Sequence, residues 1–207
     1  MNRWLLGYLQ DFRQLRHYII TAAVLFFAGI WVGADSELFQ HFLNEQIRSL
    51  GEIASELSER DHANALFFIF IFLNNTIKSI LVMYLGGLFI LIPVVFLVMN
   101  GMILGYLFAI AAAANMDVWG MFIKGILPHG IIELPVIIIA CAFGLRFGVL
   151  VLKMLTGLFR TDETRSHNNA ETQYFLKRSL HMVLFLVITL FGAAIIESTF
   201  TFWLMNQ

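Results

Sequence analysis

The sequence predicts an all-α, polytopic transmembrane bundle of about five spans, one of them interrupted by prolines. Three observations predict it. The chain of 207 residues is 59% hydrophobic and only 13% charged, where a soluble domain carries about 25% charged residues. Apolar runs long enough to cross a bilayer recur along it. One of those runs, Lys124 to Gly148, carries Pro128 and Pro135 with His129, Gly130 and Glu133 between them. Proline removes a backbone donor and clashes with the preceding turn, so this stretch is expected to break the helix. Residues 1–207 read as one integral membrane domain, placed in the cell membrane as a multi-pass protein.

Residues 1–17 predict an interfacial helix, with Trp4, Tyr8, Phe12 and Leu15 at helical spacing and Arg3, Arg13 and Arg16 between them. Ile19 to Gly33 is a short first span, and Gly29 and Gly33 form a GxxxG pair that permits close helix contact. No cleavable signal peptide is evident. Residues 35–63 are acidic, and Phe39, Leu43, Ile47, Leu50, Ala54 and Leu57 mark an extracytoplasmic amphipathic helix. Leu66 to Ala114 is too long for one span and suits two. Their turn falls either at Gly86, Gly87 and Pro93 or at Asn100–Gly101. Gly101, Gly105, Ala109 and Ala113 form a small-residue stripe.

Residues 118–152 are the interrupted span, whose first piece, Val118 to Ile126, dips in without crossing. From Pro135 the run crosses fully, with Ala140, Gly144 and Gly148 as a second stripe and Arg146 able to snorkel to the interface. Residues 153–178 are expected to be a cytoplasmic loop, and Leu180 to Met205 the last span, carrying Glu197. Lysine and arginine favour the cytoplasmic side. Residues 1–17 hold three and residues 153–178 hold five, against two in the acidic segment. The N-terminus is therefore expected in the cytoplasm, with the acidic helix and the C-terminus outside.

The polar residues inside the apolar runs are the candidate site: Asn75, Asn100, Pro128, His129, Gly130, Glu133 and Pro135. The two prolines free backbone carbonyls that lipid cannot satisfy, and His129, Asn75 and Asn100 are neutral donors that could serve them and Glu133 in one buried cluster. Lys78, one turn from Asn74 and Asn75, needs a partner if it lies in the bilayer, and Glu133 and Glu197 are the candidates. His129 and Glu133, four apart, share a helix face, but two ligands are not a metal site. One cysteine, Cys141, excludes a thiolate-rich site and an intrachain disulfide. There is no serine nucleophile elbow and no phosphate-binding loop. No catalytic residue, metal or cofactor is expected. The near-zero net charge gives no sign of nucleic-acid binding. The stripes at Gly29/Gly33, at Gly101 and Gly105, and at Ala140, Gly144 and Gly148 predict helix packing and a homodimer.

The segment LPHGIIELPVIIIACAFGLRFG, from Leu127 to Gly148, resembles the signature of the stage II sporulation protein M family of bacterial and archaeal membrane proteins. Asn74–Asn75, Asn100–Gly101 and Gly105 resemble that family's upstream motifs in order and spacing. The likeness covers roughly residues 70–150, and Cys141 and Phe143 stand where small residues are usual. It implies a multi-span protein without a known catalytic activity. The sporulation member is taken to anchor a cell-wall-remodelling complex at the septal membrane during engulfment, and relatives also occur in organisms that do not sporulate. The expected function is non-enzymatic: assembly or positioning of partners in the bilayer, with the acidic helix meeting an extracytoplasmic protein. The alternative is a transporter or channel with its pathway at the Pro128–Pro135 break.

Overall fold

Backbone groups in lipid must be satisfied within the chain, and among the described residues every regular element is helical. The computed structural model describes residues 3–35, 39–157 and 162–201. The elements are α1 (Arg3–Asp35), α2 (Gln40–Ser58), α3 (Ala63–Leu85), α4 (Leu91–Ala113), a single turn α5 (Val118–Gly120), α6 (Leu127–Gly157) and α7 (Asp162–Ile196). A π-helical turn, Met121–Ile126, precedes α6, and another, Glu197–Thr201, continues α7. Five of the helices, α1, α3, α4, α6 and α7, are long and apolar enough to cross a membrane.

Glycines fix how the spans run. A Cβ on Gly29 or Gly33 would overlap the Val98 or Met102 carbonyl oxygen, and one on Gly101 or Gly105 would overlap the Phe26 or Ile30 carbonyl. The α1 and α4 backbones therefore touch along a seam on which both numberings rise together, so the two helices run parallel. The same holds for α3 and α6: a Cβ on Gly86 would lie 2.5 Å from Gly144 O, and one on Gly148 would lie 2.6 Å from Gly86 O. Parallel pairs separated by one reversal give five alternating crossings. One end of the bundle carries α2, α5 and the α2–α3 connection. The other carries the α3–α4 turn and the α6–α7 connection.

α6 is the hub. Of its apolar window 61% is buried, against 22–33% for the other spans. Its Ala140, Phe143 and Leu150 pack with Leu15, Met83, Phe175 and Leu186, and its Ile137, Cys141 and Leu145 pack with Ala22, Phe26, Val82 and Leu97. The outer spans turn an apolar stripe outward: Ile69, Leu73, Ile77 and Leu81 on α3, and Leu180, Leu184 and Ile188 on α7, are exposed at helical spacing. Such a surface suits lipid.

Several expectations change form. The segment before the first span is not a separate interfacial helix, because α1 runs unbroken from Arg3 to Asp35; the side chains before Leu15 lie outside the described residues. Residues 153–178 are mostly helix rather than loop: α6 extends to Gly157 and α7 begins at Asp162. Polar sequence continues a helix wherever its apolar neighbours, here Leu150 and Phe175, still pack. The interruption of the 118–152 stretch also takes another form. α6 passes straight through Pro135, an exposed residue whose ring displaces nothing in the core. The irregularity falls earlier, in the π turn Met121–Ile126, so Pro128 enters as the second residue of α6. The α3–α4 reversal is at Gly86–Gly87, not Asn100, which lies inside α4. Finally, the small-residue stripes close seams inside one protomer, which removes the motive they gave for a dimer.

Candidate functional site

A cavity of about 370 Å³ opens beneath α2, among α1, α3, α4 and α6. Each wall has a simple origin. On α3, Asn74, Asn75, Lys78 and Ser79 recur at helical spacing and form one polar stripe beside the lipid-facing one. Asn74 stands at the midpoint of that span. Gly130, Glu133 and Ile137 share one face of α6, with Ile126 of the preceding π turn beside them. Asn100 enters from α4. Gln46 and Leu50 of α2 close the top, and α2 is held there by Leu43, buried against Met102 and Tyr106.

Inside the cavity the polar groups are under-used. Asn74 Nδ2 donates to Asn75 Oδ1 at 3.3 Å, and Asn100 Nδ2 donates to Phe96 O, one turn back on its own helix, at 2.7 Å. The Ser79 hydroxyl is buried in the wall with no hydrogen-bond partner among the described residues. A buried hydroxyl without a protein partner is the kind of group that water or a solute satisfies. Lys78 and Glu133 face the same space, yet among the described residues no ion pair joins them. The volume holds roughly ten waters or one small molecule.

Of the sequence-predicted site residues, Asn75, Asn100, Gly130 and Glu133 line this one cavity. Pro128 and Pro135 lie on α6 and are not part of its lining. The His129 side chain lies outside the described residues. Glu197, in the π turn after α7, stands close enough to Glu133 to interact with it electrostatically. The two π turns thus meet beside two carboxylates. π-helical turns concentrate at functional sites, because the wider ring re-aims side chains. No group of three His, Cys, Asp or Glu converges among the described residues. Sequence reasoning missed Gln46 and Ser79. A glutamine in a polar helix carries no signal, and a single serine in an apolar helix is common. The inward apolar positions of α2 were the only clue that it folds back over the bundle.

The sequence model of the stage II sporulation protein M family matches residues 18–202, nearly the whole chain. The chain belongs to that family. Among curated proteins, an uncharacterized protein of Methanocaldococcus jannaschii is 28% identical over 128 residues. That alignment takes in 62% of this chain and about half (53%) of the relative. No solved structure matches the chain. Membership agrees with the multi-pass membrane architecture, and Leu127–Gly148 lies in the hub helix α6, which forms one wall of the cavity.

Proposed function

We propose that this family member is a non-enzymatic membrane protein that binds a small polar solute in the cavity beneath α2 and passes it across the bilayer. The observation that carries the reading is the convergence of Lys78, Asn75, Asn100 and Glu133, from three spans, on one cavity at membrane depth. Ionisable groups in a span are costly and face cavities or pathways when they occur. An ammonium and a carboxylate that share a cavity without bonding each other suit a solute carrying both charges. α2 would be the lid. Lysine and arginine counts support a cytoplasmic N-terminus, with the lid outside.

The test is a thermal-stability screen of the purified protein against small zwitterions, anions and cations. Ligand that binds the folded state raises its melting temperature. A zwitterion should stabilise the parent and leave both Lys78→Met and Glu133→Gln unmoved. Equal behaviour of parent and variants toward every solute would refute the reading.

A second reading keeps one observation of its own. Phe39, just ahead of α2, and Phe42 on it remain exposed, beside a surface of paired charges such as Arg48–Glu52 and Arg60–Glu56. That favours an extracytoplasmic protein partner docking on α2, as in the partner-assembly role. Removing Phe39 and Phe42 together should then release a co-purifying partner and leave the fold intact.

A further inference from the structure

A second cavity lies at the opposite end of the bundle and is unrelated to the first. Its volume is about 640 Å³, and its polar lining is Arg146, Lys153, His167, Glu171, Tyr18 and Tyr174, from α1, α6 and α7. We propose that it takes the phosphate of an anionic phospholipid head group.

Charge is the first argument. Arg146 is 8% exposed, which is deep for a cation. Its guanidinium stacks over the Phe175 ring at 5.3 Å and reaches Glu171 at 4.0 Å. Glu171 is shared, since Lys153 Nζ lies 3.6 Å from its other oxygen. The described lining thus sets two cations, Arg146 and Lys153, against the one carboxylate of Glu171. A pair built only to neutralise Arg146 would not need Lys153 on the same carboxylate, nor an open cavity beside it. Arginine and lysine together are donor chemistry for a phosphate.

Depth is the second argument. Gly148 lies against Gly86 and Ile90, so Arg146 stands level with the α3–α4 turn. That turn exposes Leu88, Phe89 and Leu91 at 67–72%, and an exposed apolar reversal belongs at the edge of the hydrocarbon. Beyond it α6 continues to Gly157 and α7 begins at Asp162. The two helices form a hairpin tied by Asn168 Nδ2 donating to Lys153 O at 2.9 Å. The cavity therefore has its floor at the membrane boundary and its mouth in the head-group layer. Basic pockets between spans at that level bind anionic head groups.

The probe is phosphatidylglycerol, with phosphatidylcholine as the neutral control, read by native mass spectrometry of the full chain from mixed micelles. The parent should retain phosphatidylglycerol over phosphatidylcholine. Lys153→Gln, at a half-exposed position, should retain it about five-fold less, the effect of about 1 kcal/mol per basic residue near a membrane surface. Glu171→Gln should retain it more, because the opposing carboxylate is gone. A purely structural ion-pair network predicts no gain there, only lower stability, so melting curves of both variants accompany the measurement. Equal retention of the two lipids by the parent, or no difference among the variants, overturns the proposal. If inorganic phosphate alone stabilises the parent and phosphatidylglycerol is not retained, the lipid assignment is also overturned, in favour of a soluble phosphate compound.

Discussion

Glu133 faces the cavity and makes no hydrogen bond or ion pair among the described residues. This sets a prediction opposite to that of a tight structural cluster. Removing one member of a satisfied buried pair strands the other at about 1–3 kcal/mol, whereas removing an ionisable group that bonds to no protein partner strands nothing. Glu133→Leu should therefore keep or raise the melting temperature in detergent while losing solute binding. A drop worth more than about 1 kcal/mol would reveal a protein partner for Glu133. Asn100 behaves differently: its amide already serves the Phe96 carbonyl, so Asn100→Leu should be mild for stability. The convergence of Asn75, Asn100 and Glu133 was legible because polar residues in apolar runs are conspicuous. The absence of direct bonds among them was not, because donor and acceptor counts say nothing about distance.

At the scale of elements, the seams decide. Gly33→Ala or Gly105→Ala would drive a Cβ into a backbone carbonyl of the facing helix, and backbone cannot swing aside. Each should cost roughly 1–3 kcal/mol or more, the range for overpacking, read as a lower melting temperature. Gly192→Ala meets nothing within 4 Å among the described residues. It should gain about 0.5–1 kcal/mol, because alanine orders at less entropic cost in a helix. The stripes could be read as contact faces from spacing alone. Which helix each face meets could not, since four-residue spacing marks a seam and not its partner. Proline misled more. Pro135 predicts a break, but a helix can run through it when the ring faces outward and one carbonyl, that of Ile131, goes without its usual donor. The π turn ahead of α6 has no sequence signature of comparable strength.

For the whole molecule, five alternating spans put the start of α1 and the end of α7 on opposite sides of the membrane, with α2 on the side of the latter. In a Cys141→Ser background, an impermeant thiol reagent applied outside whole cells should label Ser49→Cys on α2. It should reach Gln173→Cys, near the start of α7, only after the membrane is opened. Labelling of both from outside would break the five-span arrangement. The number of spans and their apolar character followed directly from the sequence. The fold-back of α2 and the projecting α6–α7 hairpin did not, because both are built from polar sequence whose packing depends on a few residues such as Leu43 and Phe175.

Solute binding requires that water reach the cavity at mid-membrane depth. Cysteine accessibility across α3 tests it most directly. Asn75 lines the cavity and Leu73, two residues away, faces outward among the lipid-facing residues. In the Cys141→Ser protein reconstituted in liposomes, a hydrophilic maleimide should modify Asn75→Cys quickly and leave Leu73→Cys unreacted, with a zwitterionic ligand slowing the first. If Asn75→Cys is as inert as Leu73→Cys, the cavity is dry and closed, and the solute-binding account is wrong.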